Sequence, residues 1–251
     1  MTATLAHILR HPIKGHGREE LASVRLVPGE ALPWDRTWAV AHQASHFDPE
    51  FPAWAPCGNF QRGARTPAVM VIVARWDEEA GLMTLAHPDL GEVSFDPEGD
   101  TAPFLDWVAP ISPSDARFAP ARVVRAPGRA MTDSDWPSVS VLNLASLADL
   151  GRQLGADLSI HRWRGNLWLD GLAPWEEEGW VGKELRIGEA LLKVRERIGR
   201  CKATSANPDT GEIDVDTLRA LRESRDGQIF GVYAEVIQGG EIRPADRVEV
   251  L

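Results

Sequence analysis

The sequence predicts a mainly β protein with a few helices (α+β), and three observations carry that reading. Short runs rich in Val, Ile, Leu and Trp recur along the chain, each bounded by Gly, Pro or acidic turn residues. Convincing helical periodicity is confined to one segment. The strands are irregularly spaced and show no β-α-β rhythm, which favours barrels over a doubly wound sheet. In order, strands are expected over 22–27, 36–42, 68–75, 82–86, 121–125, 166–170, 184–187, 190–197, 232–237 and 246–250. A turn or two of helix is expected near 102–108. The Leu-rich run 144–154 is the strong helix, with Asn143 able to cap its start and Gly155 able to take the left-handed stop. A shorter helix over 215–224 starts beside Asp214 and Asp216 and shows Leu218 and Leu221 on one face. Six prolines between 103 and 137 have the composition of a connector, so the boundary is placed near residue 110, giving parts 1–110 and 111–251.

Composition excludes several classes of function. The chain carries 27 Lys and Arg against 37 Asp and Glu, a net charge of −10, so no nucleic-acid partner is expected. No apolar run approaches the roughly 20 residues of a membrane span, and the N-terminus lacks the pattern of a secretory signal, so a cytoplasmic protein off the membrane is expected. Two cysteines, Cys57 and Cys201, are too few for a Cys₄ zinc site or an iron–sulfur cluster. A phosphate-binding loop ending in Gly-Lys-Ser/Thr, GxGxxG, HExxH and GxSxG are all absent from the sequence.

The informative segment runs from Leu192 to Lys202 and packs Lys193, Arg195, Arg197, Arg200 and Lys202 around one thiol with a single acid, Glu196. Residues 161–202 hold nine basic and seven acidic side chains within an otherwise acidic protein. If 190–198 is a strand, Leu192 and Val194 face one way and Lys193 and Arg195 the other, and Cys201 arrives at the strand end beside cations. Neighbouring cations compensate the charge that a thiolate nucleophile or metal ligand must carry. Arg162 and Arg164 precede the apolar run Leu167-Trp168-Leu169, and Lys14 and Arg36 lie near strand ends in the first part. Together these cations can line one anion pocket between the two parts. Six tryptophans, Trp34, Trp38, Trp163, Trp168, Trp175 and Trp180, flank the same segments as core residues or as walls for a planar ligand. Cys57 has no basic neighbour before Arg62 and is read as structural.

Several separated stretches agree on a resemblance: Ser138–Leu150, Arg162-Trp163-Arg164-Gly165-Asn166-Leu167, Gly179–Gly188, Gly199-Arg200-Cys201 with Asn207-Pro208-Asp209-Thr210-Gly211, and Phe230-Gly231-Val232-Tyr233. In order and spacing they resemble a MOSC domain, the module related to the C-terminal part of molybdenum cofactor sulfurases. Upstream, His11–Gly15, Asp35–Val40 and an expected strand over 67–72 are similar to the β-barrel domain that often precedes it. The chain departs from the pattern at Gly15, Asn143, Gly165 and Ser205-Ala206-Asn207.

The resemblance implies a MOSC-type β-barrel plus a smaller N-terminal β domain. It also implies a molybdenum cofactor (molybdenum-molybdopterin) at their junction, with Cys201 as metal ligand and catalytic residue. Lys14, Arg36 and Arg164 would meet the phosphate, Asn166 and Asp209 the heterocycle, and Asn143, Arg200 and Tyr233 complete the expected cofactor-binding set. Relatives in the amidoxime reducing component group reduce N-hydroxylated small molecules. That role requires electrons from a separate electron-transfer protein. The alternative is a sulfur or cofactor carrier in which Cys201 takes a persulfide from a sulfur donor.

Overall fold

Alternation of Leu192 and Val194 with Lys193 and Arg195 builds one of the two longest strands, and its neighbours in space set the architecture. The computed structural model describes residues 3–251. Its strands are β1 (Thr4–Arg10), β2 (Ile13–Lys14), β3 (Glu19–Glu20), β4 (Val24–Leu26), β5 (Trp38–His42), β6 (Val73–Asp77), β7 (Leu82–His87) and β8 (Gly91–Phe95) in the first part. There follow β9 (Pro120–Val124), β10 (Val139–Asn143), β11 (Leu167–Asp170), β12 (Glu184–Ile187), β13 (Ala190–Gly199), β14 (Ile229–Gln238), β15 (Gly240–Ile242) and β16 (Val248–Val250). The helices are α1 (Ala102–Val108), α2 (Leu144–Leu154) and α3 (Thr217–Ser224). The fold is mainly β with a few helices.

Eight strands form one sheet in the order β16-β12-β13-β14-β10-β11-β1-β3. Only β10 and β11 run parallel, joined through α2. The sheet curls until its ends meet. Leu5 N donates to Asp246 O at 2.9 Å, Ala245 N to Leu5 O at 2.8 Å and Val248 N to Ala3 O at 2.9 Å, so β1 also pairs with the segment leading into β16. The interior is filled by Leu5, Val141, Leu169, Leu185, Leu192 and Val232, all without solvent exposure. Inward residues alternate with outward ones as closure of a small barrel requires.

A second core lies in the first part, where the meander β6-β7-β8 packs with α1 against Ile13, Trp38 and Val40. Trp34, Trp38 and Trp76 cluster there with ring centroids 4.8 to 5.8 Å apart. Three strand pairs cross the expected boundary near residue 110: β1 with β11, β4 with β15 and β5 with β9. The strand expected over 68–75 begins only at Val73. Residues Pro67–Val71 form a 3₁₀ turn in which Val69, Met70 and Val71 are buried. Pro67 sits at its first position, and an apolar run without alternation fits a buried turn as well as a strand.

The strong helix forms as its sequence requires. Asn143 Oδ1 accepts from Ala145 N at 2.9 Å, and Gly155 ends α2 in the left-handed region at φ +63°. Asn143 does more than cap: its Nδ2 donates at 2.8 Å both to Ala173 O and to the buried carboxylate of Glu177, which also accepts from Ser146. Burial pushes the Glu177 carboxyl up, so this network must stay complete. Asn143→Ala is expected to cost about 2–3 kcal/mol through the lost cap and an under-satisfied acid. A urea midpoint unchanged from wild type would contradict that.

Two histidines without solvent exposure make stability pH-dependent. Burial lowers His11 to about 3, with Arg164 adding to it, and lowers His16 to about 4. In the unfolded chain both titrate near 6.5, so below that pH the unfolded state takes up protons that the fold excludes. Their contribution is fully present above about pH 6.5 and is lost as pH falls towards 4. Stability is expected to drop by about 3–5 kcal/mol between pH 7 and 4.5, read from urea unfolding at the two pH values.

Candidate functional site

The turns at one end of the barrel meet the first part of the chain around a cavity of about 220 Å³. Lys14 and Gly15 arrive at the end of β2, and Arg36 from the turn before β5. Cys57 and Arg62 come from the long loop after β5, and Asp133 from the connector before β10. Ser140 projects from β10 and Tyr233 from β14, Arg162 to Arg164 form the turn before β11, and Arg200 and Cys201 follow β13. Elsewhere, a depression along α2 is lined mainly by that helix. A groove beside β3 mixes Arg18 and Arg75 with Glu19, Glu20 and Glu92. Neither is dominated by one sign of charge as the junction cavity is.

Six cations face one carboxylate in that cavity: Lys14, Arg36, Arg62, Arg162, Arg164 and Arg200 against Asp133. Some are already committed. Lys14 Nζ donates to Met131 O at 2.7 Å and pairs with Asp133, and Arg162 makes a bidentate pair with Asp214 at 2.8 and 2.6 Å. Lys14 and Arg36 hold the Asp133 carboxyl down at about 2. Arg36 pairs with the buried Asp35 and donates from Nη2 to Arg164 O at 2.7 Å. Arg164 in turn donates to Gly17 O at 3.0 Å and Ile13 O at 3.2 Å, so these two arginines clasp the parts of the chain together. Both have left-handed backbones, φ +51° at Arg36 and +48° at Arg164, which costs each about 1–2 kcal/mol for a side chain with a Cβ.

Arg164 and Arg200 have no carboxylate partner. Burial, with Arg36 beside it, lowers Arg164 to about 9, and burial lowers Arg200 to about 10. Arg200 donates to Phe230 O at 2.8 Å and Trp163 O at 3.0 Å, while its Nη2 is buried and has no partner at all. A desolvated guanidinium with an idle donor is completed by an anion. Trp163, stacked on Phe230 at 3.9 Å, supports Arg200 from below. Burial raises Tyr233 to about 12, and Asp133 adds to that, so its hydroxyl is a neutral donor. Cys201 is exposed at the strand end. Among the described residues no group of three His, Cys, Asp or Glu side chains can hold a metal ion. A metal here would arrive on another ligand and take at most a thiolate from the chain.

Of nine sequence-derived candidates, Lys14, Arg36, Arg164, Arg200, Cys201 and Tyr233 line this cavity. Three do not. Asn143 is spent on α2 and Glu177, as described. Asn166 is buried behind the wall, its Oδ1 accepting from Ser140 N and Oγ and its Nδ2 donating to Leu9 O. Asp209 is exposed on the surface, 3.7 Å from Arg18. Of the six tryptophans singled out in the sequence, only Trp163 reaches the cavity. Sequence reasoning missed Arg62, Asp133 and Ser140 and read Cys57 as structural. Arg62 was the only signal near Cys57, and nothing in the proline-rich connector marked Asp133.

Two departures from the family pattern have local causes, one in the backbone and one in side-chain packing. Gly15 has φ +82°, and a Cβ there would lie 2.6 Å from Gln61 O. Gly15→Ser is therefore expected to destabilise by about 2 kcal/mol or more, and a serine variant with wild-type Tm would contradict this. A Cβ on Gly165 would meet the fully buried Leu142 at 2.2 Å.

Residues 130–249 match the model of the MOSC domain. Over 126 residues it is 32% identical to "Mitochondrial amidoxime reducing component 2" of Bos taurus, covering 45% of this chain and 37% of the relative. "Mitochondrial amidoxime-reducing component 1" of Homo sapiens is 30% identical over 130 residues, 47% of this chain and 38% of that one. "Molybdenum cofactor sulfurase" of Drosophila grimshawi is 34% identical over 94 residues, 37% of this chain and 12% of the relative. The matches thus span well under half the length of these relatives. Among solved structures, the YUAD protein from Bacillus subtilis is similar with a TM-score of 0.48 and 10% identity, over 100% of this chain and 96% of that one. Among the described residues, no helix is long and apolar enough to cross a membrane.

Proposed function

We propose that this chain binds the molybdenum cofactor in the junction cavity and reduces N-hydroxylated or other N-oxygenated small molecules with electrons from a separate protein. The observation that carries the reading is a cavity with three guanidiniums that have no carboxylate partner, Arg62, Arg164 and Arg200, the last with an idle buried donor, beside the exposed thiol of Cys201. The names of the relatives supply the cofactor and the class of substrate.

The residues present fit such a group. Arg36, Arg164 and Arg200 offer charged donors to a phosphate, and Lys14, held by Asp133, lies in the same wall. Ser140 and Tyr233 add neutral hydroxyls. Cys201 offers a thiolate that could ligate the metal. When bound, the cofactor supplies the two-electron redox chemistry and an acceptor for the substrate oxygen. The chain's own part is to fix orientation through the clasp of Arg36 and Arg164 and to hold the thiol at the cavity mouth, where a small substrate has access. Tyr233 presents a protonated hydroxyl across the neutral pH range.

Turnover of an aromatic amidoxime by cofactor-loaded protein, with a reduced viologen as electron donor, tests the reading. Amidine formation supports it, and loaded protein that forms no product sinks it. A carrier reading has one observation in its favour: the Cys201 side chain is exposed, as a thiol that receives sulfur from another protein must be. It would be favoured by sulfane sulfur on Cys201 after incubation with a cysteine desulfurase, together with negligible amidoxime turnover.

A further inference from the structure

The chain has two cysteines, one in each half, and the fold brings both to the same cavity. The sequence reading gives Cys57 a structural role, yet the thiol belongs to none of the hydrophobic clusters and is half-buried. Its Sγ accepts a hydrogen bond from Arg62 Nη1 at 3.0 Å. A guanidinium is a charge-assisted donor, and sulfur accepts such a bond best as the anion that thiol–disulfide chemistry uses. The loop carrying Cys57 also lies against the turn carrying Cys201. A Cβ built on Gly63, next to Arg62, would be 3.5 Å from the Cβ of Ala203. One thiol is thus exposed to solvent oxidants, and the other is sheltered, hydrogen-bonded to a cation and on a neighbouring segment.

We infer that Cys57 is the resolving thiol of Cys201, and that the two form a reversible disulfide across the cavity under hydroperoxide. In the first step the Cys201 sulfur attacks the peroxide: an S–O bond forms, the O–O bond breaks, and the alcohol or water leaves with the thiol proton. In the second, the Cys57 sulfur attacks the Cys201 sulfur: an S–S bond forms, the S–O bond breaks, and hydroxide leaves as water with the proton of Cys57. Two thiols are oxidised by two electrons and one hydroperoxide is reduced. A dithiol reductant reverses the bond by exchange. The disulfide keeps Cys201 from irreversible oxidation and withdraws both thiols from the cavity. The inference uses only this chain's residues and stands or falls apart from the cofactor reading.

The test uses the full chain, purified without cofactor, reduced, desalted and treated with one equivalent of hydrogen peroxide. The expected result is a mass loss of about 2 Da, no alkylatable thiol, and a peptide pair joining Cys57 to Cys201 that dithiothreitol separates. Arg62→Gln is expected to slow the cross-link about tenfold. Cys57→Ser should leave Cys201 as the sulfenic acid at the same dose, a gain of about 16 Da, and a second equivalent should carry it to the sulfinic acid, a gain of about 32 Da. Wild-type protein in which Cys201 is oxidised to the sulfenic acid, or to the sulfinic acid with a second equivalent, while Cys57 stays alkylatable would overturn the inference. A Cys201–Cys201 link between two copies would overturn it too. The wild-type peptide map decides the matter even if the Cys57 variant does not fold.

Discussion

Replacing Cys201 with alanine is expected to reduce amidoxime turnover by at least about a thousandfold while leaving the fold intact. The thiol is exposed and takes part in no hydrogen bond, and its backbone before the following 3₁₀ turn is extended, so truncation removes no packing. Stability is expected to change by no more than about 0.5 kcal/mol, the usual range for such surface positions. The chemical loss is total by contrast. Cys57, the other cysteine at the cavity, is half-buried and hydrogen-bonded to Arg62, so the variant keeps no exposed thiolate for the metal. Cys201→Ser separates the two effects, since it keeps the size and changes only the ligand atom. Steady-state rates beside thermal unfolding of the three proteins check the expectation. Alanine protein with retained activity would remove Cys201 from the site.

The second large effect falls on Arg200. Its Nε and Nη1 hold Phe230 O and Trp163 O, and Nη2 has no partner, so the side chain is both fixed and unfinished. Arg200→Met keeps most of the length and removes the charge. Weakened retention of the anionic cofactor by about a hundredfold is expected, from the loss of a charge-assisted bond in a desolvated site. Folding stability should fall by only about 1–2 kcal/mol, because two carbonyls lose a donor while the cost of burying a charge disappears. Arg200→Lys restores the charge without the planar fork and should recover only part of the affinity. The readout is pterin retained per protein after gel filtration at rising salt. Equal retention in wild type and methionine protein would show that the idle donor does not meet the ligand.

Much of the fold was legible because its strongest signals are local. Asn143, the Leu stripe and Gly155 define α2 whatever surrounds them, and Leu192 to Val194 alternate as a half-buried strand must. Barrel closure was not legible, since it rests on β1, whose His7 and Thr4 dilute the apolar pattern, meeting residues 245–248 from the other end of the chain. The run Pro67–Val71 misled because continuous apolar burial has no period to read. In the site, the cations were found because basic residues stand out in an acidic chain. Asn143 and Asn166 have side chains engaged elsewhere, and Asp209, carried over from the family pattern, lies on the surface. Asp133 and Cys57 escaped because each becomes part of the site only through a contact across the fold: Lys14 for the first, the common cavity for the second.

Metal and pterin content tests the central claim most directly. The protein is purified anaerobically from a host that makes the molybdenum cofactor, and wild type is compared with Cys201→Ala by elemental analysis and pterin fluorescence. Near-stoichiometric molybdenum and pterin in the wild type, with molybdenum lost or weakened in the variant, is the expected result. Neither molybdenum nor pterin in either protein would contradict the proposed function and leave the cationic cavity to another anion.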